Sequence, residues 1–230
     1  MKRFAVFIIV IVSLILIGLW SPWRGVSIDF SGLFGIAQQQ PQAGLQVYSL
    51  SGVLEVYIDN QLKGEVTPED SPFFVDKIEP GEHLIKLTRK SDVPNAYWSL
   101  NKLIQFEQNT NVVISYNLGP EEIFSEGHII YATKKADILK SVKLNINANV
   151  DNFNIQFDSL PIDKVSFNDY VTDLDLSKQH TIKLIKSNYE SLEFVILPST
   201  QEERNKLDIY DLNIESQIML QPVNVEDTNI

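Results

Sequence analysis

The sequence predicts an all-β protein: two tandem antiparallel β-sandwich modules preceded by one N-terminal transmembrane helix. Three observations lead there. An uncharged run from Phe4 to Trp20, FAVFIIVIVSLILIGLW, follows Lys2 and Arg3. From Leu45 onward, short β-branched and aromatic runs alternate with polar residues at period two and are broken by Gly, Pro, Asn and Asp. These runs fall into two series of matching order.

The first element is the apolar run. Its seventeen residues, at about 1.5 Å of helical rise each, give about 25 Å, and residues 21–23 extend it toward the ~30 Å of a hydrocarbon core. Thirteen of the seventeen are Phe, Val, Ile or Leu. At about 0.3–0.6 kcal/mol apiece, insertion is favourable by several kcal/mol with no charge opposing it. Lys2 and Arg3 precede the run and only Arg24 closely follows it, so the positive-inside rule favours a cytoplasmic N-terminus and an exported body. A cleaved signal peptide is the rival reading, but it calls for a shorter apolar region with an A-x-A-like site directly behind it. Trp20, Pro22 and Trp23 occupy that place, and the small pair Gly35 and Ala37 lies well beyond it. The expected location is the cytoplasmic membrane, single-pass, with the C-terminal body extracytoplasmic. Segment 1–24 is the membrane anchor, and 25–44 is a juxtamembrane segment ending in the polar linker 38–44.

Composition then bounds the body. The chain has 230 residues and no cysteine, so disulfides, thiolate metal sites and a cysteine nucleophile are excluded. Setting aside Lys2, Arg3 and Arg24 leaves 16 basic residues against 30 acidic ones, a net charge of −14 for the rest. Such a surface repels nucleic acid and other polyanions, and it keeps a β-rich ectodomain soluble.

In the first series, 45–118, strands are expected at 45–49, 54–59, 73–78, 83–90, 103–107 and 112–118. A connector, 119–141, follows, in which Ile129, Ile130 and Tyr131 read as one added strand for either module. The second series, 142–221, has strands expected at 142–148, 153–158, 171–176, 180–186, 192–197 and 214–220. Within it Thr200 and Glu203 form a capping-box pattern for a short helix. The tail 222–230 lacks apolar periodicity and is expected to fray.

The two series align residue by residue in places. Glu82-His83-Leu84-Ile85-Lys86-Leu87 matches Gln179-His180-Thr181-Ile182-Lys183-Leu184 at a spacing of 97, and Asp76 matches Asp173 at the same spacing. Val56-Tyr57-Ile58-Asp59 faces Ile155-Gln156-Phe157-Asp158 after a two-residue shift.

The first series resembles the PEGA domain family, small β-sandwich modules found on exported or envelope-attached prokaryotic proteins. The resemblance rests on Ser49, the strand Val56-Tyr57-Ile58-Asp59, the turn Gly64 with Thr67-Pro68, and Pro80-Gly81-Glu82-His83. Tyr57, Asp59, Pro80, Gly81 and His83 are thus structural-motif residues, with His180 the counterpart of His83 in a degenerate second copy. Ser51-Gly52-Val53-Leu54 replaces the naming tetrapeptide, and Gly52 takes the turn glycine by a one-residue shift. The connector's Gly119-Pro120-Glu121-Glu122 and Gly127-His128-Ile129-Ile130 are similar to joins between tandem modules of that family. The resemblance implies an interaction or scaffold module with no common catalytic residues.

Residue chemistry yields no enzyme signature. Three scattered histidines lack the close spacing of a local ligand pair. Asp173 and Asp175 share a strand face, and with Asn152 they lack the D-x-D-x-D-G pattern of a calcium loop. No nucleophile elbow, P-loop or dinucleotide fingerprint is present, and no catalytic residue, metal or cofactor is assigned. Tyr97 and Trp98, in the polar loop 91–101, are the candidate partner contacts, with closure of the sandwich edge as Trp98's structural role. The expected function is a tethered scaffold or interaction protein. Phe4 to Trp20 would bind the membrane, and the modules would meet an envelope protein or wall component. An envelope glycan hydrolase with a carboxylate pair and a passive spacer are the alternatives.

Overall fold

The computed structural model describes residues 43–134, 141–158, 160, 163–167 and 169–223. The anchor at 1–24, nearly all of the 25–44 segment and the tail beyond 223 lie outside these residues. Among the described residues no helix is long and apolar enough to cross a membrane.

The described chain is all-β with one α-helix. The first half contributes β1 (Ala43–Ser49), β2 (Leu54–Ile58), β3 (Gln61–Val66), β4 (Phe73–Ile78), β5 (Gly81–Arg89), β6 (Leu100–Phe106) and β7 (Thr110–Asn117). After β8 (Glu126–Lys134), the second half contributes β9 (Ser141–Ala148), β10 (Phe153–Phe157), β11 (Asp163–Val165), β12 (Asp169–Asp175), β13 (His180–Ile185), β14 (Leu192–Ile196), helix α1 (Gln201–Leu207) and β15 (Tyr210–Ile218). Thr200 caps the start of α1, its Oγ1 accepting from the Glu203 amide at 3.3 Å, but the Glu203 carboxylate accepts from the Thr200 hydroxyl at 2.7 Å, not from the Thr200 amide as the expected capping box would have it.

Three sheets result. A seven-stranded sheet has the order β12-β9-β15-β8-β7-β1-β4, and two four-stranded sheets have the orders β3-β2-β5-β6 and β11-β10-β13-β14. Read outward from β8, the long sheet repeats itself: β7-β1-β4 on one side, β15-β9-β12 on the other. β8 runs antiparallel to both β7 and β15, so those two strands point the same way. The operation relating the halves therefore turns the sheet over, and the two smaller sheets cover opposite faces of it. Side chains bear this out. Val112, Ile114 and Ile129 join the core under the β3-β2-β5-β6 sheet, whereas their neighbours Val113 and Ile130 join the core of the second half.

Two expectations need correction. The segment 119–141 is no mere connector, because it supplies β8, the shared central strand of both halves. A run that is apolar on both faces suits a strand covered on both sides, which is what Ile129, Ile130 and Ala132 experience. Nor is the sheet purely antiparallel: β1 pairs parallel with β7, and β9 with β15. In each half the chain leaves the long sheet after its first strand and returns for its last, so the two can lie side by side without a hairpin. Strands β3 and β11 were not expected. They are edge strands that bury little beyond Val66 and Val165, so apolar alternation is weak. The tail is docked as far as Val223, whose amide donates to Asn188 O at 2.9 Å.

Because one sheet runs through both halves, the structure predicts a single cooperative unfolding transition. Ile130→Ala, at the fully buried centre, is expected to cost about 2–5 kcal/mol and to lower fluorescence and far-UV signals together in a urea melt. Two separated transitions would contradict the shared sheet.

Candidate functional site

Chain direction gives the long sheet two distinct ends. β1, β7, β9 and β15 all run the same way, so the start of β1 at Ala43 marks a near end and the finish of β1 at Ser49 a far end.

At the near end lies a motif built twice. Asp59, in the left-handed region at φ 51, accepts from the Leu84 amide at 3.0 Å through Oδ1 and meets His83 Nδ1 at 2.6 Å through Oδ2. His83 Nε2 reaches Glu79 O at 2.9 Å. In the second half Asp158, at φ 50, accepts from the Thr181 amide at 2.9 Å and meets His180 Nδ1 at 3.1 Å, while His180 Nε2 reaches Asp175 O at 3.0 Å. Each imidazole thus locks the end of one strand to a neighbouring turn. The motif residues read from the sequence are brought together here: Asp59 with His83, and Gly81 at the start of β5. Tyr57 stands apart on β2, donating to Glu55 Oε2 at 2.9 Å beneath the Lys86 ammonium. Pro80 sits in the turn between β4 and β5.

Both ring nitrogens of each clasp histidine face an oxygen atom. No cluster of His, Cys, Asp or Glu among the described residues could hold a metal ion. His128 is fully buried in β8, in register with Ser115 and Ser216, and burial pushes its pKa down to about 4. The carboxylates with displaced pKa values all move downward, opposite to what a general acid needs. The hydrogen bond from His83, then that from the Leu84 amide, lowers Asp59. Burial pushes Asp158 up, but hydrogen bonds from Lys178, the Thr181 amide and His180 outweigh it and hold the carboxyl at about 2. Asp175 is lowered by the Ser177 hydroxyl and amide. Asp173 and Asp175 do share the exposed face of β12, where Asp173 stands opposite Lys143.

The far end carries the candidate contacts. Arg89 ties three loops there: its Nη1 donates to Leu118 O at 3.3 Å, and its guanidinium lies 4.4 Å from the Tyr97 ring centroid. Gly52, at φ 69, is required beneath it, since a Cβ would stand 2.7 Å from Arg89 Nε. The Trp98 amide donates to Gly119 O at 2.8 Å, and its partly buried ring packs on the first core. Tyr97 is also partly buried, under Arg89. The side chains that do project are Leu50 (46% exposed), Val93 (63%), Ile123 (47%) and Phe124 (47%), from those same loops. Sequence reading missed these four, because an isolated apolar residue in a loop has no periodicity to mark it. The second half repeats the cation over the ring with Lys186, 5.7 Å from the Tyr189 centroid.

No family model matches the chain, and no curated protein matches it. Among solved structures, the Bacillus anthracis TIE protein is similar at 14% identity with a TM-score of 0.24, covering 78% of this chain and 34% of that one. The chain therefore spans about a third of that structure's length.

The near-end clasp makes stability pH-dependent in two directions. The hydrogen bond to Asp59 raises the His83 pKa above its ordinary 6.5, against a smaller opposing effect of burial. The histidine contribution is full below 6.5 and is lost as pH rises through the raised value. The carboxylate contribution is present above the ordinary 3.8 and is lost as pH falls through the lowered value. In an NMR titration, His83 is expected to titrate above 6.5 and to shift downward in Asp59→Asn. An unchanged midpoint in that variant would mean that the pair does not form in solution.

Proposed function

We propose that this protein is a membrane-anchored extracytoplasmic scaffold that presents two fused PEGA-like β-sandwich modules to a partner in the cell envelope. The observation that carries the reading is the polarity of the body. The chain enters at Ala43 on the near end, while Leu50, Val93, Ile123 and Phe124 project from the far end. With the apolar run from Phe4 to Trp20 as anchor, these side chains face away from the bilayer. Tethering then confines them to the envelope and raises their effective concentration toward any partner there.

Exposed apolar side chains on loops fixed by hydrogen bonds suit a partner that supplies an apolar pocket, since little ordering entropy remains to be lost on binding.

Orientation is tested by protease treatment of intact cells carrying a C-terminally tagged chain. Digestion of the tag is the expected result, and a protected tag removes the reading. Contact is tested by a photocrosslinking residue in place of Phe124, with Val195 on β14 as the control position. Adducts are expected at position 124 only, and the double change Ile123→Asp, Phe124→Asp should reduce binding about tenfold or more, as two truncated interface anchors do, with the melting temperature little changed.

A further inference from the structure

One face of the long sheet is left open, and its residues are of an unusual kind. On the first half, the face turned away from the β3-β2-β5-β6 sheet is covered: Gln46, Val113 and Ser115 are all buried. The corresponding face of β12, β9 and β15 is not. Strand register places three rows on it: Asp173–Lys143–Asn213, Val171–Asn145–Glu215 and Asp169–Asn147–Gln217. Edge strand β6 borders this floor, and its Lys102 pairs with Glu215 at 2.6 Å. With strands about 4.8 Å apart and alternate residues about 6.7 Å apart, floor and border form a shallow shelf roughly 14 Å on a side.

The shelf has two chemical properties. Of its charges, Glu215 is paired with Lys102, Asp173 stands in register with Lys143, and Asp169 lies exposed at the start of β12. Among the described residues, the side chains of Asn145, Asn213 and Gln217 are half-buried yet make no hydrogen bond, whereas Asn149 uses its amide at both ends on Leu220. Asn145 Oδ1 is withdrawn from solvent and without a donor, a cost of about 1–3 kcal/mol for an acceptor left in that state. Each such amide offers two donors and an acceptor. Beside Asn145 in the same row, Val171 is 51% exposed and offers an apolar spot.

A ligand matching this surface is uncharged, dense in groups that both donate and accept, and carries a small apolar face. A polyanion would be repelled by Asp169, Asp173 and Glu215, which outnumber Lys102 and Lys143, and an apolar helix would strand the amides. The geometry points to a binding site for a neutral glycan chain, with hydroxyls on Asn145, Asn213 and Gln217 and the C–H face of one ring on Val171. About two or three pyranose rings fit the shelf's span. This site lies on the flank, separate from the far-end loops, and it stands whether or not the anchor reading holds.

The test uses the full chain, ¹⁵N-labelled in detergent micelles, titrated separately with chitotetraose, cellotetraose and maltotetraose. Side-chain amide resonances of Asn145, Asn213 and Gln217 are expected to move with at least one sugar in the millimolar range. Asn145→Ala combined with Asn213→Ala should weaken that sugar about tenfold or more, and Gln217→Ala, less deeply set, gives a second variant if the double one folds poorly. Gln156→Ala on the opposite smaller sheet should leave affinity unchanged. No movement with any of the three sugars overturns the proposal. So does movement that follows protein concentration alone, which marks self-association, or movement of β6 backbone amides with an extended peptide but no sugar, which marks strand addition.

Discussion

Everything in this fold hangs on the ladder that β8 forms with β7 on one side and β15 on the other. Its register is long on both flanks, from Thr110↔Thr133 to Asn117↔Glu126 and from Tyr210↔Lys134 to Gln217↔Gly127. Ile129 and Ile130, adjacent in sequence, then serve different cores. A strand with one polar face could not do this, because a single-residue shift in register would exchange the two cores' contributions. Fusion through a buried strand also makes the body stiff. Modules joined by a linker would move independently, whereas here relative motion would require breaking main-chain hydrogen bonds in the middle of a sheet.

Burial along the strands records how unequal the two halves have become. β7 is buried at seven successive positions, Thr110 to Tyr116, and β1 at its first five. β15, in the equivalent place, alternates strictly, burying Leu212, Ile214, Ser216 and Ile218 and leaving Asn213, Glu215 and Gln217 partly open. β9 follows the same alternation through Val142, Leu144 and Ile146. The first half is therefore a layer inside the body, and the second half a layer at its surface. The amides of Asn145, Asn213 and Gln217 on this open layer are unengaged and so available for recognition.

Legibility in the sequence followed the same physics. Strands with one buried face announced themselves by alternation, and the repeat of His83 at His180 reported a real equivalence, since both rings close the same clasp. Val112-Val113-Ile114 and Ile129-Ile130 were readable as strands, but period alone cannot say that two different cores claim their alternate side chains. β3 escaped because Gln61, Leu62 and Lys63 are exposed and the strand is held mainly by main-chain pairing to β2. At the candidate sites, Tyr97 and Trp98 drew notice by type, and both are partly buried, Tyr97 against Arg89 and Trp98 on the first core. The projecting residues and the amide rows become visible only through topology, because residues as far apart as Asn145 and Gln217 meet through strand order.

The near-end clasp and the far-end loops also divide labour in a way the repeat makes plain. Asp59 and Asp158 adopt the same left-handed backbone and receive the same pair of donors, so each half needs this turn to close. Asp tolerates that backbone because its short carboxylate can satisfy amides of the adjoining strand, here Leu84 and Thr181. At the far end only the cation over an aromatic ring is kept, and the surrounding loops differ in length and in exposed residues. What both halves retain is therefore what closes a module. What differs between them is where recognition can be placed without disturbing that closure, and the far-end loops of the first half and the open shelf of the second are both such places.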